Sequence, residues 1–161
     1  MSGSTPAEDL VRAFYEYSAG RDLVEALSDK AYVEAGHAAF GHIATSDFEF
    51  VLVRGEVGEQ GVYPGLLGLV DGMRDWVASF RSYVTAVEDV IDLGTRVIVL
   101  TDEHGTSRVG AVPVRQRGAV LWTFRAGKVA RIETYLQRSA ALAALADDER
   151  ARLERVVAEA G

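Results

Sequence analysis

Apolar positions along the chain change their period several times, and the changes divide it into helices, strands and turns. Near the start, Leu10, Val11, Phe14, Tyr17 and Ser18 recur at helical spacing. Thr5-Pro6-Ala7-Glu8 precedes them with a hydroxyl N-cap, a proline suited to the first helical position and a carboxylate able to reach back to the N-cap amide. Gly20 offers a left-handed stop, so the pattern predicts one amphipathic helix of about four turns. A short helix over Asp22–Leu27 and a helix over Lys30–Ile43, broken by Gly36 and Gly41, follow it.

From Asp47 the period becomes two, with Phe48, Phe50 and Leu52 on one face and Asp47, Glu49 and Val51 on the other. Glycines punctuate a polar loop from Gly55 to Gly65. Helical spacing then returns from Leu66 to Ser82 through Leu69, Met73, Trp76 and Phe80. The next stretches read as strands over Thr85–Leu93, Arg96–Glu103, Gly110–Phe124 and Val129–Leu136. Gly94-Thr95, His104-Gly105 and Arg125-Ala126-Gly127-Lys128 join them as short turns, which makes an antiparallel meander. Asp147-Asp148-Glu149 gives an acidic start to a last helix whose Leu153, Val156, Val157 and Ala160 share a face. The chain divides into one domain over residues 1–146 and a helical extension of it over residues 147–161.

Helices first, then a strand, a helix and a run of strands define an α+β class with helices on one face of a curved sheet. Such a sheet closed by helices forms a cone. Its apolar interior is the natural small-molecule site.

Composition narrows the functions. The 161 residues, 48% hydrophobic and 25% charged, suit one globular domain with a sizeable core. A net charge of −7 with scattered arginines offers no footprint for nucleic acid. No apolar run reaches the roughly 18 residues of a membrane span, and MSGSTPAEDL lacks the basic and apolar regions of a signal peptide, so a cytoplasmic location is expected. The chain has no cysteine, which removes disulfides, thiolate metal sites and a cysteine nucleophile. His37 and His42 stand five apart, on different helix faces, so neither a metal nor another cofactor is expected. The segment RGEVGEQGVYPG lacks the lysine and hydroxyl of a phosphate-binding loop and reads as a pocket rim.

Taken in order, VRAFYEYSAGRDLVEAL, SDFEFVL, YPGLLGLVDGMRDWVASF, DLGTRVIVL and LWTFRAGKVARIETY followed by RSAALAAL resemble the SnoaL-like polyketide cyclase and ketosteroid isomerase superfamily, of nuclear-transport-factor-like fold. The resemblance implies a cone-shaped, curved antiparallel sheet with N-terminal helices on its concave face, a cystatin-like α+β barrel. It also implies homodimers packed through the sheet's outer face. Two departures stand out: the segment Lys30–Ser46 is longer than usual, and the helix Asp147–Ala160 runs past the usual end.

The superfamily's chemistry does not carry over. Matched by pattern, the isomerase base falls on Leu52 and its two acidic donors on Phe14 and Val120. The last-strand carboxylate of limonene-type epoxide hydrolases falls on Thr134, and their arginine and second acid on Thr101 and Glu103. With Ile98 and Leu100 facing the cavity instead, alternation carries Asp102 inward and turns Thr101 and Glu103 out. Asp102 in an apolar cone would have a raised pKa and is the candidate general acid or base; alternatively, Asp102-Glu103-His104-Gly105 is a solvated turn. Both registers stay open at this stage. The expected walls of the ligand site are Phe14, Tyr17, Phe50, Leu52, Trp76, Leu100, Val120, Trp122, Ile132 and Thr134, while Glu133 belongs to the outer face. Three functions fit: a metal-independent cyclase or isomerase acting on a hydrophobic polyketide, terpenoid or steroid-like substrate, a non-catalytic module for a small apolar ligand, and a homodimeric interaction protein.

Overall fold

A computed structural model describes residues 3–54 and 60–160. Thr5 caps helix α1 (Pro6–Tyr17) through its Oγ1, which accepts the Glu8 amide at 3.2 Å. The Glu8 carboxylate, expected to close a capping box, instead accepts the Asp92 amide at 3.0 Å and ties the helix to the sheet. Aspartates start the next two helices. Asp22 caps α2 (Leu23–Ala26) and Asp29 caps α3 (Lys30–Gly41), each accepting a first-turn amide at 3.0 Å.

The strands are β1 (Ala44–Val53), β2 (Gln60–Pro64), β3 (Phe80–Asp92), β4 (Arg96–Ser107), β5 (Pro113–Arg125) and β6 (Lys128–Tyr135), with α4 (Gly65–Val77) between β2 and β3. They form one sheet in the order β2-β1-β6-β5-β4-β3. The last four make the predicted meander. The first joins it in parallel, β1 against β6, so the sheet is mixed, and it curves without closing into a barrel.

Several boundaries differ from the sequence reading. The helix expected over Leu66–Ser82 ends at Val77, with Phe80 already in β3, and α3 runs unbroken through Gly36. Part of the glycine-rich segment is strand β2, paired antiparallel with β1, whereas residues 55–59 of the proposed rim loop lie outside the described residues. His104-Gly105 is no turn: β4 continues to Ser107, with His104 opposite Val84 and Gly105 opposite Tyr83. Glycine is needed there for close approach, because a Cβ at Gly105 would stand 2.8 Å from Phe80 Cδ1 and 3.0 Å from the Ser82 carbonyl oxygen.

Both faces of the sheet are covered. On the concave face, Phe48, Phe50, Leu52, Val97, Val99, Val120 and Trp122 pack with Val11 of α1, Phe40 of α3 and Leu69 of α4. On the outer face, Val51, Ile98 and Leu121 pack with helices α5 (Arg138–Ala143) and α6 (Asp147–Ala160), through Ala141 and Leu153. Leu145, between those helices, joins them. The resemblance assigns homodimer packing to this outer face, yet the chain's own C-terminal helices occupy its apolar part. Val157, predicted to share the buried stripe of α6, is 58% exposed. No helix among the described residues is long and apolar enough to cross a membrane.

Candidate functional site

The concave face bears a chamber of about 70 Å³ of free volume, almost wholly apolar, between the sheet, α1 and α4. The strands fix which side chains enter it. In β4, Val97 and Val99 point inward, so period two carries Thr101 and Glu103 to the same side. Glu103 sits opposite Thr85 of β3, Thr101 opposite Gly118 of β5, and Val120 opposite Thr134 of β6.

Glu103 is the ionisable group that matters in this chamber. Its side chain belongs to a residue only 5% exposed, and Oε2 has no hydrogen-bond partner. Thr101 Oγ1, beside it, is also without a partner. Burial in apolar surroundings penalises the carboxylate and pushes its pKa up to about 7; the hydroxyls of Tyr83 and Thr85 oppose the rise and the charge of Asp102 adds to it. Gly118 leaves room for the pair, since a Cβ on it would stand 3.0 Å from Glu103 Oε2 and 3.1 Å from Thr101 Oγ1. From the outer side, Arg138 donates to the carbonyls of Thr101 at 2.9 Å and Gly118 at 3.1 Å, which holds the backbone behind Glu103.

Two phenols complete the polar lining. Trp122 Nε1 donates to Tyr15 Oη at 3.3 Å, and Trp76 Nε1 donates to Tyr83 Oη at 2.9 Å. Each phenol keeps its own proton, because burial raises both pKa values well above the ordinary tyrosine value. The chamber therefore presents neutral hydroxyls and one carboxyl that titrates near neutrality. Such a set can take a proton from carbon or give one to a carbonyl oxygen.

The expected residues divide among several places. Phe14, Phe50, Trp76, Val120, Ile132 and Thr134 line the chamber. Tyr17 lines a neighbouring cavity, and its hydroxyl donates to the Tyr32 carbonyl at 2.8 Å. Leu52 packs in the concave core and borders a groove with Arg54, Gln60 and Tyr63, while Trp122 is buried in that core and touches the site through Tyr15. Leu100 faces the other way, against the outer cluster with Ile98.

Asp102 also points outward, which corrects its assignment to the cavity. Arg115 grips it with two bonds, Nε to Oδ1 at 3.0 Å and Nη2 to Oδ2 at 2.8 Å, and His104 Nε2 stands 3.4 Å from Oδ2. The Arg115 guanidinium lowers the carboxyl to about pKa 2. It is a fixed anion of the outer face. Glu133 lies on that face too, bonded to Arg131 and Tyr135 at 2.7 Å each.

Of the two registers the sequence left open for β4, the structure shows the one with Thr101 and Glu103 inside; Asp102 had been drawn from the other, which placed Ile98 and Leu100 inside. A better signal lay in the next strand, where the alternating Arg115 and Arg117 mark the solvent face and their cross-strand partners His104 and Asp102 must share it. Among the described residues, no group of three or more His, Asp or Glu gathers to hold a metal ion.

No family model and no curated relative matches the chain. Solved structures do. A SnoaL-like polyketide cyclase, so described provisionally, from Jannaschia sp. CCS1 superimposes with a TM-score of 0.57 at 16% identity, over 91% of this chain and 99% of that one. TerC co-crystallised with polyporic acid gives 0.58 at 18%, over 84% and 95%. A hypothetical protein of ketosteroid isomerase-like fold from Catenulispora acidiphila, in complex with trimethylamine, gives 0.50 at 17%, over 66% and 79%.

The fold is that of the SnoaL-like and NTF2-like proteins. At these identities the likeness extends to the fold alone. The functional argument therefore rests on the chamber around Glu103.

Proposed function

We propose that this SnoaL-like chain is a small-molecule cavity protein in which Glu103 moves a proton on a hydrophobic carbonyl compound, in the manner of a cyclase or isomerase. The observation that carries the reading is one buried carboxyl, unpartnered at Oε2, with a pKa of about 7 inside an apolar chamber. A carboxyl so tuned is available in both protonation states at neutral pH, which general acid/base work requires. Neutral Tyr15, whose oxygen accepts from Trp122, has its proton available for a developing oxyanion, while Tyr83 steadies the Glu103 carboxyl. TerC co-crystallised with polyporic acid and the Catenulispora protein in complex with trimethylamine support small-molecule binding by proteins of this fold.

The test is α-proton exchange of cyclohexanone in deuterated buffer, followed by NMR. The wild type should accelerate exchange, and Glu103→Gln should lower the rate at least about 100-fold. A wild-type rate equal to buffer, or a Gln variant as fast as wild type, removes Glu103 from the chemistry.

A second reading is binding without turnover. It is favoured by the chamber lining, which among the described residues holds no carboxylate or basic side chain besides Glu103. It predicts thermal stabilisation by cyclohexanone with no exchange. A homodimer, in either reading, would use the polar part of the outer face around Asp102 and Arg115, since α5 and α6 occupy the apolar part.

A further inference from the structure

Helix α3 precedes the first strand, and most of its inner face is only partly buried. Of its residues only Phe40 is buried; Tyr32, Val33, Gly36 and His37 are half-buried. Their spacing puts them on one stripe, facing α1 and α4 across a second apolar cavity of about 70 Å³. An unfilled apolar space of this kind costs stability unless something occupies it.

This annex adjoins the Glu103 chamber. Phe14, Ser18, Leu69 and Met73 line both. The Ser18 hydroxyl is turned to the Tyr15 carbonyl at 3.3 Å, and Met73 brings an unbranched, adaptable side chain to the partition. At one end of the combined space stands a carboxyl, 5% exposed, with a free Oε2; at the other the walls are almost entirely apolar.

We propose that the two chambers take one elongated ligand, a linear alkyl ketone whose carbonyl end meets Glu103 and whose tail passes Met73 into the annex under α3. Two small chambers that share Phe14, Leu69 and Met73 as walls would, with the Met73 side chain turned aside, admit a narrow chain and not a rigid fused-ring skeleton. The inference rests on Glu103 receiving the polar end, as in the proposed function, and it narrows the substrate class from steroid-like to chain-like compounds.

The test is calorimetric titration with 2-alkanones from 2-butanone to 2-undecanone, with progesterone as the rigid comparator. Affinity of the wild type should rise about fourfold per methylene and 2-undecanone should bind more tightly than progesterone. Gly36→Leu, whose new side chain meets Tyr17 at ordinary contact distance, should flatten the series beyond the length that the first chamber holds. Val70→Phe, from the α4 side of the annex, should do the same and keeps the test available if the first variant does not fold. A flat wild-type series, absence of binding by every alkanone, tighter binding of progesterone, or two folded variants that keep the full rise would each overturn the annex. If cyclohexanone exchange still depends on Glu103 in that case, the acid/base reading survives alone. A rising series without any exchange would sink the chemistry of Glu103 and leave the annex standing.

Discussion

Gly118 and Glu103 compete for the same space on the chamber floor: a Cβ on Gly118 would stand 3.0 Å from Glu103 Oε2. The same Cβ would lie 2.8 Å from the Tyr135 carbonyl oxygen, which is backbone and cannot swing aside. Gly118→Ala should therefore destabilise the fold by about 1–3 kcal/mol, the usual cost of overpacking, and displace the Glu103 carboxyl. Urea denaturation measures the first effect and cyclohexanone exchange the second. An unchanged midpoint would show that the strand has room the geometry denies it.

Glu103 also gives stability an unusual pH dependence. Its folded pKa, about 7, lies above the unfolded value of about 4.3, so between the two the folded state holds more protons than the unfolded one. Stability from this group is full below about pH 4, declines as pH rises, and reaches its lowest level above 7. The loss is on the order of 3–4 kcal/mol. Glu103→Gln should remove it, so the variant should gain on wild type from pH 4 to pH 8. A stability difference constant across that range would mean that the carboxyl is not buried as an acid.

The sequence made some of these relationships legible and concealed others for a physical reason. Thr5, the alternation of Phe48, Phe50 and Leu52, and the turn at Ala126-Gly127 each carry a local signal, and each element formed where its signal stood. In β4 no such signal exists. Val97 and Val99 face one core while Ile98 and Leu100 face another, because α5 and α6 cover the outer side. A strand apolar on both faces has no readable period. That is why two registers stayed open for β4, and why the one that carried Asp102 inward could not be told from the one that carries Glu103 there. Strand β2 was hidden differently: it is short, lies at the sheet edge and follows a glycine-punctuated stretch of sequence, and its pairing with β1 supplies what its composition does not.

The turn that joins β5 to β6 retains a correctable defect. Ala126 adopts φ 53°, a left-handed conformation, ahead of Gly127 at φ 78°. Two-residue hairpins of this kind favour asparagine before glycine, and alanine in the left-handed region costs about 1–2 kcal/mol. Ala126→Asn should recover about 0.5–1 kcal/mol of that without touching the chamber. Thermal melting should show a higher midpoint. An unchanged or lower one would mean that the turn relaxes in solution to another geometry.

Glu149 anchors the C-terminal helix in a way that separates its pH response from that of Glu103. Its carboxylate is nearly fully buried and accepts Arg96 Nη2 at 2.7 Å and Nε at 2.9 Å, the Ala146 amide at 2.9 Å and Thr95 Oγ1 at 3.2 Å. These bonds, Arg96 first, hold its pKa below the ordinary glutamate value. The sign is thus opposite: stability from Glu149 is present above about pH 4.3, its unfolded value, and is lost as pH falls through the lower folded one. Glu149→Ala should cost about 3–5 kcal/mol at pH 7, because it strands the Arg96 guanidinium in a site only 18% exposed. Arg96→Ala should do comparable damage, and the double variant should cost less than the two added, by about 2 kcal/mol or more. Additive losses in such a cycle would mean that α6 is held by Leu153 and its apolar neighbours alone, with the ion pair contributing nothing to its attachment.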